Sequence, residues 1–143
     1  MGSSLPPRPC DSCPYRRDVP SGVWAASEYA KLPPFDAPTF EQPPAAFFCH
    51  QKAVGDDGAR LCRGWVGCHD MPNSLGLRMA LIAGAIDEAT YRAALDYVSP
   101  VPLFESGAEA AAHGIAEISE PSDEAVRVVA KIYRRRPDAR YGS

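Results

Sequence analysis

Five cysteines, Cys10, Cys13, Cys49, Cys62 and Cys68, carry the chemistry available to this 143-residue chain, and His50 and His69 stand directly beside two of them. Cys10-Asp-Ser-Cys13 is a C-x2-C unit. Two intervening residues let both sulfurs face one concavity while backbone amides turn toward them, which is how a metal knuckle is made. No cysteine lies beyond residue 68, and ten of the fifteen prolines fall in the first 44 residues. Proline removes a backbone donor and locks φ, so long helices and central strands are excluded there. Such a segment needs a cross-link to become ordered, and a bound metal supplies one because its binding energy becomes folding energy.

Other uses of these thiols are less consistent with the pattern. An odd cysteine count in a reducing compartment disfavours a disulfide framework. A thioredoxin-type C-x-x-C needs a βαβ context, which is missing around Pro9 and Pro14. Cys49-His50 and Cys68-His69 could be read as catalytic dyads. However, sequence neighbours on a strand point to opposite faces, so adjacency alone does not make one. The plainest alternative is that two or three of these cysteines are buried small hydrophobes.

A structural zinc site usually pairs two knuckles, and this chain has one. One pair plus scattered thiolates suits a cubane iron–sulfur cluster, which is larger than one ion and takes ligands from separate loops. The Cys13-Pro14 step is also found in bacterial cluster-binding runs. The expected ligands are Cys10, Cys13, Cys49 and Cys62 around a [4Fe–4S] cluster, with Gly64-Trp65 as a close backbone and an apolar cover. Zinc is the alternative metal, and Cys68, His50 and His69 are the alternate ligands.

The elements that must position these residues differ between the two halves. Pro20-Ser21 followed by GVWAASEYAKL reads as a helix capped by Ser21 and ended by Pro33-Pro34. Phe35 to Pro44 is extended or turning, and Ala45 to His50 is a short apolar strand or the floor of a site. Val54 to Arg60 is a turn, and Leu61 to His69 is irregular or a helical turn around a ligand. Helices follow over Ser74–Ala83 with Gly84 as C-terminal cap, over Asp87–Tyr97 and over Ser106–Ile118, the last weakened by Gly107 and Gly114. The final helix spans Ser122–Arg135, with Ser122 as cap and an apolar stripe of Val126, Val129, Ile132 and Tyr133. The expected fold is therefore mainly α, with four to five helices, irregular proline-rich metal-binding loops and room for one short β-hairpin through Phe47 and Phe48. We read residues 1–143 as a single domain: a cysteine-rich metal-binding half (1–70), a helical half (71–136) and a tail (137–143).

Charge narrows the partners. The formal net charge is −3, which argues against a chain built as a whole to coat nucleic acid. Residues 105–126 hold six acids and no Lys or Arg, whereas residues 127–143 carry a net +5. Arg134, Arg135 and Arg136 could bind a protein partner or, as the minority reading, nucleic acid; otherwise they complement a helix dipole. Arg16 and Arg17 read as surface charges that offset thiolates, His113 as a structural helix residue, and Trp24 and Trp65 as core or cluster cover. Asp56-Asp57-Gly58 is too short for a calcium loop. No phosphate-binding glycine loop, nucleophile elbow or H-E-x-x-H occurs. No apolar run reaches the roughly 18 residues of a membrane span, and Met1–Pro9 has no apolar secretory region. The expected compartment is the cytoplasm, with no membrane partner.

PCDSCPYRRDVPSGVWAASEYAKL, FFCHQ, LCRGWVGCHD and LGLRMALIAG together resemble a family of small cysteine-rich actinobacterial and actinophage proteins labelled only as a domain of unknown function. The similarity covers roughly residues 8–97. It implies a metal-binding protein whose pattern is set by Cys10, Cys13, Cys49 and Cys62, and it implies no activity. GVWAA is also similar to the GVWGG turn of WhiB-like iron–sulfur transcription factors. In those proteins the cysteines precede that turn, whereas here three follow it.

Three functions remain in view. The first is a small iron–sulfur protein acting as a redox-sensitive binding or regulatory module. The second is a zinc-stabilised adaptor whose basic C-terminal helix binds a protein or nucleic acid. The third is a thiol-dependent enzyme.

Overall fold

Four short polar side chains set where the helices of the second half begin. Ser74, Asp87, Ser106 and Ser122 each accept a backbone N–H three residues on, from Leu77, Thr90, Glu109 and Ala125. Each satisfies a donor that the first helical turn leaves free. The structure, a computed structural model, describes residues 9–48 and 61–135. Among them are six α-helices: α1 (Ala26–Tyr29), α2 (Arg63–Cys68), α3 (Leu75–Ile82), α4 (Glu88–Leu95), α5 (Gly107–Ile115) and α6 (Asp123–Arg135). Short 3-10 turns lie at Pro33–Asp36, Thr39–Glu41 and Met71–Asn73.

The molecule is mainly helical, as the sequence indicates, and no strand occurs among the described residues. The hairpin expected through Phe47 and Phe48 is reduced to one antiparallel bridge, Phe48 to Leu61. Pro43 and Pro44 cut the pairing on one side, and α2 begins two residues after Leu61 on the other. The turn expected over Val54–Arg60 lies outside the described residues.

The first helix is shorter than its sequence pattern. Gly22 sits at φ +84°, which no helix accommodates. The Ser21 hydroxyl does not cap α1. It donates to the Gly114 carbonyl at 3.0 Å and accepts from Glu117 N at 2.8 Å. Gly22 N also donates to Gly114 O. That carbonyl would otherwise accept from Ile118, so α5 ends at Ile115 and Ile118 makes a tighter bond back to Ile115. A Cβ on Gly114 would stand 2.1 Å from the Tyr29 ring. This glycine, which weakens an isolated helix, is what lets α5 approach α1.

The face of α6 differs from the stripe read in the sequence. Ala125 and Ile132 are buried and Val128 and Val129 partly so, whereas Val126 and Tyr133 are more than half exposed. The buried set follows i, i+3, i+4, i+7, the helical repeat that includes a small residue the apolar reading skipped. Gly84, at φ +78°, ends α3 as expected, with Ala85 N bonded back to Ala80 O.

One buried cluster runs in sequence from Cys13 to Ile132, with Trp24, Trp65, Tyr15, Leu32, Leu61 and Leu77 at its centre. Front and back halves are joined to each other by Phe104 N to Tyr15 O at 2.9 Å and Arg17 N to Pro102 O at 3.2 Å. Among the described residues, no helix is long and apolar enough to cross a membrane.

Candidate metal centre

Cys10 and Cys13 close a tight turn, with Cys13 N donating to Cys10 O at 3.0 Å. Pro14 follows immediately and stiffens the exit. Trp24, buried to 1 % exposure, donates its indole N–H to the Ser12 carbonyl at 2.9 Å and so holds the middle of this loop. Arg16 folds back over it. Its Nη1 reaches Pro9 O at 3.2 Å and Cys10 O at 3.5 Å, and Asp18 holds the same guanidinium through two contacts of 2.8 and 2.7 Å. Its charge is therefore largely matched by Asp18. Arg17 points elsewhere, to Leu103 O at 2.8 Å and over the Phe104 ring.

The second arm arrives with Leu61 and Cys62. Cys62 N donates to Phe47 O at 2.8 Å, and the Cys62 sulfur caps α2 by accepting from Trp65 N at 3.4 Å. Gly64, in the first turn of α2, lies directly on the knuckle: a Cβ there would come within 2.3 Å of Cys13 Sγ and 2.7 Å of Tyr15 Cβ. Only glycine lets the helix seat this closely. The result is a Cys13 Sγ to Cys62 Sγ separation of 3.7 Å across 49 residues of chain, with both thiols free.

Burial pushes the Cys13 thiol well above its ordinary value, and its hydrogen bonds with Cys10 and Cys62 push it the same way. Cys13 thus touches two of the other expected ligands. Among the described residues, however, no group of three or more His, Cys, Asp or Glu side chains forms a set that could hold a metal ion by itself. Cys49 and His50 lie outside the described residues. The donors at hand are soft thiols, which suit zinc or iron–sulfur chemistry rather than the hard cations.

Of the alternate ligands, the two among the described residues, Cys68 and His69, have surroundings of their own. Cys68 ends α2, six residues beyond Cys62, and a helical rise of 1.5 Å per residue separates the two backbones by about 9 Å. Burial, reinforced by Asp36, Cys62 and Glu109, pushes the Cys68 thiol up to about 12, so it is protonated at neutral pH. This opposes its use as a nucleophile. Both nitrogens of His69 have partners other than sulfur: Nε2 lies 3.4 Å from the Tyr15 hydroxyl and Nδ1 lies 3.7 Å from Asp36 Oδ1. His113 is structural, its Nε2 2.8 Å from Val19 O. Arg134 is exposed on α6, Arg135 ends that helix, and Arg136 lies outside the described residues. The same helix reaches the knuckle through Lys131, 3.7 Å from Asp11.

Arg63 was not singled out by the sequence. It is 5 % exposed, its Nη1 donates to Leu61 O, its Nε has no hydrogen-bond partner, and no carboxylate pairs with it among the described residues. A buried guanidinium without a counter-charge is costly. In sequence this one stands between Cys62 and Gly64. An arginine between a cysteine and a glycine carries no sequence signal for burial. Tyr15, whose ring meets His69 edge-on and whose backbone carries Phe104, had a weak signal in its place two residues after Cys13.

The chain matches the model of a family of unknown function over residues 5–136. It belongs to that family, DUF6283. The resemblance read in the cysteine and tryptophan segments therefore extends through the helical half as well. No curated protein and no solved structure matches the chain.

Proposed function

We propose that Cys10, Cys13, Cys49 and Cys62 bind one metal centre, and that this centre staples the proline-rich front half to the helices and makes the protein a metal-organised binding module. The observation that carries this is the 3.7 Å contact between Cys13 Sγ and Cys62 Sγ. Thiolates bound at about 2.3 Å to one tetrahedral ion stand about 3.8 Å apart. In a cubane each cysteine extends outward from its own iron, which sets the sulfurs further apart than one ion does. The spacing therefore favours the zinc alternative over the cluster, on the same cysteines.

Cys49 is the natural fourth ligand by connectivity. It follows Phe48, which bridges Leu61, the residue before Cys62, and one peptide unit spans only 3.8 Å. When bound, the ion would supply a cross-link between segments far apart in sequence. The rest is done by the chain. Trp24 fixes the knuckle loop, Trp65 N donates to the Cys62 sulfur, and Arg63 provides a buried positive charge. Four thiolates outnumber the charges of a divalent ion, so the loaded centre is anionic and offsets Arg63. Cys13, protonated in the absence of metal, releases its proton on binding.

The binding role rests on α6, whose outward side combines Val126 and Tyr133 with Arg127 and Arg134, and whose Lys131 reaches the knuckle. The test is metal and acid-labile sulfide content of protein purified without air. One zinc per chain, no sulfide and no colour is expected. Iron with equal sulfide and a brown colour would move the assignment to a cluster on the same cysteines. Absence of any stoichiometric metal would end the proposal.

A further inference from the structure

Cys13 and Cys62 are free thiols whose sulfurs lie 3.7 Å apart although 49 residues separate them in sequence. We infer that this pair is an oxidation site: a hydroperoxide converts it to an intramolecular disulfide, and Cys10 is the thiol through which the oxidant enters. The inference rests on the sulfur geometry and is independent of which metal the thiols take.

A disulfide bond is about 2.05 Å long, so sulfurs already in contact need to close by only about 1.7 Å. Two features hold them in place. Cys62 N is bonded to Phe47 O at 2.8 Å, and Gly64 leaves room for Cys13 Sγ where a Cβ would stand 2.3 Å from it. In the unfolded chain the same thiols are the ends of a long loop whose closure costs entropy. The fold has already closed that loop. Cys10 and Cys13 are neighbours in any state of the chain, so their encounter gains little from folding.

Access decides the order of events. Cys13 is 1 % and Cys62 3 % exposed, so neither meets an oxidant in solution. Cys10 is half-buried and is hydrogen-bonded with Cys13. The three sulfurs thus form a file that leads inward from Cys10 through Cys13 to Cys62.

The chemistry along this file balances. The Cys10 sulfur attacks one oxygen of hydrogen peroxide; the O–O bond breaks, the departing hydroxide takes the thiol proton to become water, and Cys10 becomes a sulfenic acid. Cys13 attacks that sulfur and expels hydroxide, which takes the Cys13 proton and leaves as a second water. Cys62 then attacks the Cys13 sulfur, and Cys10 departs as a thiolate that takes up the Cys62 proton. Two thiols have lost two electrons and two protons, one peroxide has become two waters, and Cys10 is regenerated.

The test uses the full-length chain, purified without air, with a chelator present to take up any ion released. Metal content is measured separately, so a failed metal assignment leaves this result readable. After treatment with hydrogen peroxide and alkylation of the remaining thiols, cleavage before Asp11 and after Arg60 and Arg63 puts Cys10, Cys13 and Cys62 on separate peptides. The Cys13–Cys62 link should be the dominant disulfide. It should form at least about tenfold more slowly in Cys10→Ser, while Cys68→Ser matches the native chain. In urea its yield should fall at least about tenfold, below that of Cys10–Cys13. A dominant native disulfide of any other pairing, sulfinic acid without a disulfide, an unchanged rate in folded Cys10→Ser, or equal yields with and without urea would each overturn the inference.

Discussion

The indole N–H of Trp24 donates to the carbonyl of Ser12 at 2.9 Å, so the tryptophan of the V-P-S-G-V-W segment holds the loop between Cys10 and Cys13. The same residue is tied at its backbone, where Trp24 N donates to the Tyr29 hydroxyl at 3.1 Å. Two sequence features separated by ten residues are thus one structural unit. Trp24→Phe keeps most of the apolar volume and removes the indole bond. It should lower stability by about 1–2 kcal/mol in urea unfolding, and the variant should surrender its metal to a chelator at lower chelator concentration than the native chain. Native retention with reduced stability would separate the core role of Trp24 from its hold on the knuckle.

Arg63 distinguishes a metal-organised site from a merely buried pair of thiols. Arg63 follows Cys62 directly in sequence, so an anionic metal centre on Cys62 would bring negative charge near a buried guanidinium that has no carboxylate partner among the described residues. Arg63→Met should therefore weaken metal binding several-fold in chelator competition. In the metal-free protein the same change should be neutral or stabilising by about 1–4 kcal/mol. Equal destabilisation of both forms would show that Arg63 acts through packing alone.

His69 makes stability depend on pH in a defined window. Burial lowers its pKa in the folded state below the ordinary imidazole value of about 6.5. The unfolded chain thus takes up a proton at higher pH than the folded one. The contribution is complete above about 6.5 and is lost as pH falls from there through the folded pKa, with a slope of at most about 1.4 kcal/mol per pH unit. His69→Gln should flatten this part of the profile between pH 7 and 5, measured by urea unfolding, relative to the native chain. A parallel profile in the variant would assign the pH dependence elsewhere.

The helical half was legible because its signals are local. Ser122 caps α6 and Gly84 ends α3 through bonds within a few residues, and the family match covers both halves. What could not be read depends on contacts distant in sequence. Ser21 looks like a helix cap but bonds to Gly114 and Glu117, over ninety residues away. Gly114 looks like a helix breaker but is a site of close approach to Tyr29. The face of α6 was misread because Ala125, fully buried, carries too little apolar surface to register in a hydrophobic pattern. The structure sets Cys13 and Cys62, two of the four expected ligands, 3.7 Å apart. Cysteine spacing could not show that Tyr15, His69 and Asp36 form a line of contacts leading from that site to a pocket.

The most direct measurement is metal stoichiometry in five single variants, each folded chain purified without air: Cys10→Ser, Cys13→Ser, Cys49→Ser, Cys62→Ser and Cys68→Ser. The first four should each lose bound metal or hold it at least about a hundredfold more weakly, while Cys68→Ser keeps the native content. Full retention in Cys13→Ser or Cys62→Ser, or loss confined to Cys68→Ser, would contradict a centre built on the sulfurs that the fold brings together.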